Sequence, residues 1–267
     1  MPSHLSTIGF PVNDVEDLRK LTIQLSGQAQ KVPAKKGKYL RWTSNTGAEA
    51  WLQIDQSNTL IGINPHFAGA SILSVRLEKR FPGKYLDGSF YAWMISDKND
   101  EQEGFSKDGF YPFVFDVPDF QTYSDLKLPS LAQVQLSAFA HEIRIHESTQ
   151  AFEASQTTKM KFASQSFIPC GLFKPDGQDT QAPEAFAIFT GHILQTELRV
   201  NEVTGMKFHW ASVDTLGGVF DVLMDPELVQ SPLLIGGVLS GTFWISGRLL
   251  KYERRQISFF DRLFGRS

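Results

Sequence analysis

The sequence predicts a β-rich α+β fold: an N-terminal sheet with one packed helix, then a small antiparallel β-barrel. Three observations predict it. From Phe186 to Leu250, four or five apolar runs are cut by turn pairs at Thr204-Gly205, Gly217-Gly218 and Gly236-Gly237, the chemistry of short antiparallel strands. The chain holds 22 Phe, and aromatics make up 12% of it, a bias that suits strands and β cores. Near the N-terminus, Val15, Leu18, Leu21 and Leu25 recur at helical spacing.

In chain order, residues 6–12 read as a short strand. Asn13 and Glu16 have the spacing of a capping box, which opens a helix by satisfying its free N–H groups, and that helix is expected to end near Gly27. Residues 31–38, with four lysines, Pro33 and Gly37, read as a solvated loop. Tyr39 to Thr43 and Ala48 to Asp55, joined by Ser44-Asn45-Thr46-Gly47, form a hairpin. Ile72 to Leu77, Ser89 to Met94 and Phe113 to Val117 read as strands, as does Val134 to Ile145, with Val134, Leu136 and Ala138 on one face. The acidic run between Ser96 and Asp108 reads as an exposed loop. These elements divide the chain into a domain over 1–173, a linker over 174–183, a barrel over 184–250 and a basic tail over 251–267.

Two resemblances follow. Ile8 to Asp14, then Tyr39-Leu40-Arg41-Trp42 and Ala48-Glu49-Ala50-Trp51-Leu52, give an order of strand, helix and strands that resembles one module of the vicinal-oxygen-chelate (glyoxalase-like) superfamily. That resemblance implies a metal held by a first-strand His and a late-strand Glu, but the first-strand position here is Thr7. Gly191-His192-Ile193-Leu194, the turn at Thr204-Gly205 and the run Gly236 to Gly241 resemble an OB-type barrel. The chain as a whole resembles an uncharacterised bacterial family, which implies no activity.

Bulk properties exclude several classes. A formal net charge of -3 makes a nucleic-acid partner unlikely, because phosphate binding needs a basic face. The single cysteine, Cys170, forbids an intrachain disulfide and fits a reducing compartment. It has no charged neighbour in sequence to activate a thiolate, so it reads as a small buried hydrophobe. No secretory pattern opens the chain and no apolar run is long enough to span a bilayer, so the expected location is the cytoplasm, with no transmembrane segment. No P-loop, dinucleotide fingerprint or nucleophile elbow occurs, and no cofactor is expected.

The candidate ligand-binding residues are Arg41, Glu49, Trp51, His66, Trp93, His209 and Trp210. Glu49 and His66 would be the metal pair, if there is one, since imidazole and carboxylate can hold a divalent ion. The plainer reading puts Glu49 on the solvent face of the hairpin and His66 at a turn. His141 and His146 are five apart, which places them on opposite faces of a strand. Phe208 and Trp210 share a face that could stack bases or fill a core. In the tail, Arg254 and Arg255 accompany Ile257, Phe260, Leu263 and Phe264 at helical spacing, a pattern suited to a partner groove, a membrane surface or the protein's own β unit. The leading expectation is a non-enzymatic binding or interaction protein of unknown ligand. The alternatives are a glyoxalase-like metal enzyme and a single-stranded nucleic-acid binder.

Overall fold

Two sheets organise residues 3–95, 111–157, 161–172 and 183–252, the parts of the chain described by the computed structural model. The smaller sheet is antiparallel, in the order β1 (Gln30–Ala34), β2 (Gly37–Thr43), β3 (Ala48–Asp55), β4 (Leu60–Phe67). The larger is mixed. It holds β5 (Ile72–Pro82), β6 (Gly88–Met94), β7 (Tyr111–Val117), β8 (Ser130–His146), β9 (Ser166–Pro169), β10 (Phe186–Val200), β11 (Lys207–Thr215), β12 (Gly218–Met224) and β13 (Val238–Tyr252). Its order is β11-β12-β8-β5-β6-β7-β13-β10-β9, with β10 also paired to β11 and β8 also paired to β13. Two helices accompany the sheets, α1 (Val15–Ser26) and α2 (Thr149–Ser155). No helix among the described residues is long and apolar enough to cross a membrane.

Helix α1 packs on the small sheet. Leu21 and Leu25 join Trp42, Ala48, Ala50 and Leu52 in one buried cluster, so one face of β3 meets the helix. The other face of β3 carries Glu49, Trp51 and Gln53, which are buried too. Period two along the strand makes this division. It leaves a polar face of the small sheet pressed against the large one. The main core lies within the large sheet, where Val75, Phe90, Phe113, Phe115, Val134, Leu136, Phe189, Phe220 and Phe243 pack together.

Several expectations need correction. Residues 6–12 form no strand: Ser6–Ile8 is a 3-10 turn. That segment is held from the side, since Asn201 Nδ2 donates to the Ile8 carbonyl at 2.9 Å and Thr204 Oγ1 to that of Gly9 at 2.6 Å. The helix cap sits one residue later than the capping box suggested. Asp14 accepts from the Asp17 N–H at 2.8 Å, and Asp17 Oδ2 accepts from the Asn13 N–H at 3.1 Å. Lys31 to Ala34 belongs to β1, an edge strand, where Pro33 removes no needed ladder donor. Asn64 to Phe67, with Pro65, is likewise the end of edge strand β4. Cys170 is half-exposed instead of buried. The acidic run over 96–108, linker residues 174–182 and tail residues 253–267 lie outside the described residues.

Candidate functional site

The nominated residues on β2, β3 and β4 meet in one layer between the sheets. Cross-strand register brings Thr43 opposite Glu49, Arg41 opposite Trp51 and Glu49 opposite His66. Glu49 and His66 are both 0% exposed, which overturns the solvent-facing reading of the one and the turn reading of the other. The large sheet supplies Gln135 from β8 and Ser246 and Arg248 from β13, with Arg248 directly opposite Gln135.

Glu49 is held on all sides. Arg41 Nε donates to Oε1 at 3.0 Å, and its Nη2 reaches the same oxygen. Trp51 Nε1 donates to Oε2 at 2.8 Å, and Arg248 Nη1 lies 3.8 Å from Oε2. Both guanidinium groups also stand over the Trp51 ring, at 5.3 Å for Arg41 and 4.7 Å for Arg248, so the indole gains cation–π contacts on top of its hydrogen bond. Arg248 Nε reaches Asp119 Oδ2 at 3.3 Å, where the Tyr123 hydroxyl also donates at 2.9 Å. Asp119 Oδ1 is buried with no hydrogen-bond partner among the described residues.

Burial pushes the Glu49 carboxyl up, but His66, Arg41 and Arg248 outweigh it and leave the group below its ordinary value. Burial drives the Asp119 carboxyl above the ordinary range, with Arg248 and Tyr123 only partly opposing. His66 Nδ1 lies 2.8 Å from Ser246 Oγ, and its Nε2 lies 2.8 Å from Gln135 Oε1. The Gln135 oxygen can only accept, so Nε2 carries the proton and Ser246 donates to Nδ1. Burial, against the pull of Glu49, lowers His66 to about 4, and the ring is neutral at neutral pH. Both His66 ring nitrogens are engaged, so the ring could bind a metal only by giving up the Ser246 hydrogen bond, and the Glu49 charge is already shared by Arg41 and Arg248. Among the described residues no three His, Cys, Asp or Glu side chains gather as a metal site requires.

The remaining nominated residues lie elsewhere. Trp93 is half-buried on β6, opposite Arg76 and Pro112. His209 is half-buried on β11, on the face it shares with core residues Ala211 and Val213, opposite Leu198 and Met224. Trp210 is buried, donates Nε1 to Asp221 Oδ1 at 2.8 Å and lies under the Arg199 guanidinium at 4.3 Å. Phe208 is fully buried, so this aromatic pair is occupied by packing. Arg254, Arg255, Phe260, Leu263 and Phe264 lie outside the described residues.

A second cluster was not foreseen. His4 stacks on Trp244 at 4.1 Å, and its Nε2 lies 2.6 Å from His141 Nε2. Trp244 Nε1 donates to Asp116 Oδ2 at 2.6 Å. Burial lifts Asp116 to about 6, with Asp87 adding to the rise. Pairing between residues this far apart in sequence has no local signal.

The open site lies beneath α2, on the outward face of β9, β10, β13 and β8. It is a groove of about 580 Å³. Two cross-strand rungs make its floor. One runs Ile168, Ile188, Thr242, Glu142, and the other Ser166, Thr190, Ser240, Arg144. Phe152 and Phe162 add apolar wall. Ile168 at 48%, Ile188 at 45% and Phe162 at 60% exposure are large side chains that ordinarily seek cover. Arg144 makes no ion pair among the described residues.

No protein-family model matches the chain, and no curated protein or solved structure matches it either.

Proposed function

We propose that this is a binding protein whose ligand seats in the groove beneath α2, and that the buried charged layer is structural. The observation that carries this reading is a contrast. Apart from Asp119 Oδ1, the interior carboxylates, guanidinium groups and imidazole find partners within the buried layer, whereas the groove floor combines uncovered isoleucines with four hydroxyls and a guanidinium that makes no ion pair among the described residues. Concave sites with apolar walls and a few polar groups are the usual form of small-molecule sites. The chemistry fits an amphipathic anion, its apolar body over Ile168 and Ile188 and its acidic head on Arg144, where Thr190 and Ser240 can add hydrogen bonds. Glu142 on the neighbouring rung disfavours the opposite orientation.

The C-terminal strands are read as a small barrel that takes in β8. Pairing that runs β10, β11, β12, β8, β13 and back to β10 supports this. A metal-dependent enzyme would have to break the Glu49 and His66 hydrogen bonds first, and base stacking would have to expose Trp210. Both requirements weigh against those alternatives.

The test is fluorescence titration with anilinonaphthalene sulfonate, an apolar anion, and displacement by dodecanoate. Saturable binding should fall about tenfold in Arg144→Ala, the scale of one charge-assisted hydrogen bond. Ile188→Asp should abolish it. Binding that is absent from the wild type, or unchanged in both variants, would sink the reading.

A further inference from the structure

The groove beneath α2 holds a second basic group, His146. Glu142, Arg144 and His146 follow one another at two-residue spacing on the outward face of β8, and all three line the groove. Arg144 and His146 thus stand about 7 Å apart along the strand. Arg144 is exposed and His146 half-buried, its ring edge-on to Phe152 of α2 at 5.3 Å. Register sets Ser240 opposite Arg144, and Thr190 opposite Ser240. Among the described residues neither basic group makes an ion pair. No hydrogen bond engages their side chains or the two hydroxyls.

Two basic side chains on one face repel each other when both are charged. Burial lowers His146, and Arg144 lowers it further. An anion held between them would remove that repulsion. The donor count favours one class of anion. The Arg144 fork, one imidazole N–H and the two hydroxyls offer about five donors. A carboxylate accepts at about four sites, whereas the three terminal oxygens of a phosphate monoester accept at about six and carry up to two charges. Glu142 repels the head group from the far end of this row. Ile168 and Ile188, on the Glu142 rung, are left for an apolar chain.

The other titratable groups around His146 are few. Glu147 follows it in the chain, Glu153 lies on α2 and Lys161 lies beyond α2, all three exposed. Half-buried His192 stands across Val238 on the same rung. Strands β9 and β13 bring no charged side chain to the groove.

We propose, resting on the reading that this groove is the ligand site, that its head-group seat takes a phosphate monoester bearing one apolar chain, with Arg144 and His146 sharing the phosphate and Thr190 and Ser240 completing its hydrogen bonds. Binding then depends on pH through His146. The imidazolium favours the anion, so its contribution is present below the free His146 value, which lies under 6.5. It is lost as pH rises through the higher value of the bound state.

The test is displacement of anilinonaphthalene sulfonate from the full-length protein by dodecyl phosphate, dodecanoate and inorganic phosphate at about pH 6, each variant checked for folding by circular dichroism. Dodecyl phosphate should displace the probe at about tenfold lower concentration than dodecanoate, the scale of one more charge-assisted hydrogen bond. His146→Gln should erase that difference. Inorganic phosphate, which has no chain, should compete far more weakly than dodecyl phosphate. The probe's sulfonate stays ionised, so its own affinity should fall between about pH 5.5 and about pH 8 in wild type and His192→Gln, but not in His146→Gln. Equal potency of dodecyl phosphate and dodecanoate, or a phosphate preference that survives His146→Gln, would overturn the phosphate seat and leave the groove reading standing. Inorganic phosphate as potent as dodecyl phosphate would overturn the seat for the chain. A probe that fails to bind at all would overturn the groove reading itself.

Discussion

Glu49 illustrates what a buried charge does when it has partners. Removing one member of such a set leaves the others uncompensated, typically at a cost of about 3–5 kcal/mol. Arg41 and Arg248 keep some contact with solvent, with 24% and 20% of their side chains exposed, so Glu49→Gln should lose the lower figure, about 3 kcal/mol, in urea unfolding near neutral pH. Because the folded carboxyl sits below its ordinary value, the stability it contributes is present above that value and is lost as pH falls through the folded one. Asp116 has the opposite sign. Its folded value of about 6 lies above the ordinary 3.8, so stability falls as pH rises between the two and stays reduced above them. Asp116→Asn, which can still accept from Trp244, should therefore raise the melting temperature near neutral pH, by an amount equivalent to about 2–3 kcal/mol. Below pH 3.8 it should change little. His66, lowered from 6.5 to about 4, costs stability as pH falls through that window, and His66→Gln should flatten the slope there. Arg41, Glu49 and Trp51 were legible as candidates because they lie on one predicted hairpin, and His66 because its imidazole could join a carboxylate. Their partners Asp119, Tyr123, Gln135, Ser246 and Arg248 were not, since only long-range pairing brings them in.

At the scale of elements, β8 and β13 carry the architecture. Their pairing is interrupted between Thr242 and Phe243, and Gly241 lies just before that step. A Cβ at Gly241 would stand 2.1 Å from the Glu142 carbonyl oxygen. Gly241→Ala should cost about 1–3 kcal/mol or more through forced backbone shifts, read as a lower urea midpoint, and it should distort the groove floor at Thr242. The strands with strong alternation or apolar runs were legible: β2, β3, β5, β6, β7, β8 and β10 to β13. Edge strands β1 and β4 were not, because lysines and prolines read as loop while an edge tolerates both. Helix α2 escaped notice as well. It is seven residues long and buries only Phe152, too little for periodicity to register.

For the whole molecule, the composition and aromatic content made the β-rich class legible, but not which strands would share a sheet. Strand β8 pairs with β5 on one side and β12 and β13 elsewhere along its 17 residues, so elements from early and late in the chain share one ladder. We predict a single cooperative unfolding transition, with near-UV and far-UV signals coincident in urea. Two separated transitions would mean that the early and late strands fold as independent units. The central claim is that the charged layer serves the fold and the groove beneath α2 serves the ligand. Calorimetric titration of dodecanoate into wild type, Glu49→Gln and Ile188→Asp, each confirmed folded by circular dichroism, tests it most directly. The account predicts wild-type binding for Glu49→Gln and none for Ile188→Asp. Loss of binding in Glu49→Gln, with binding intact in Ile188→Asp, would contradict it.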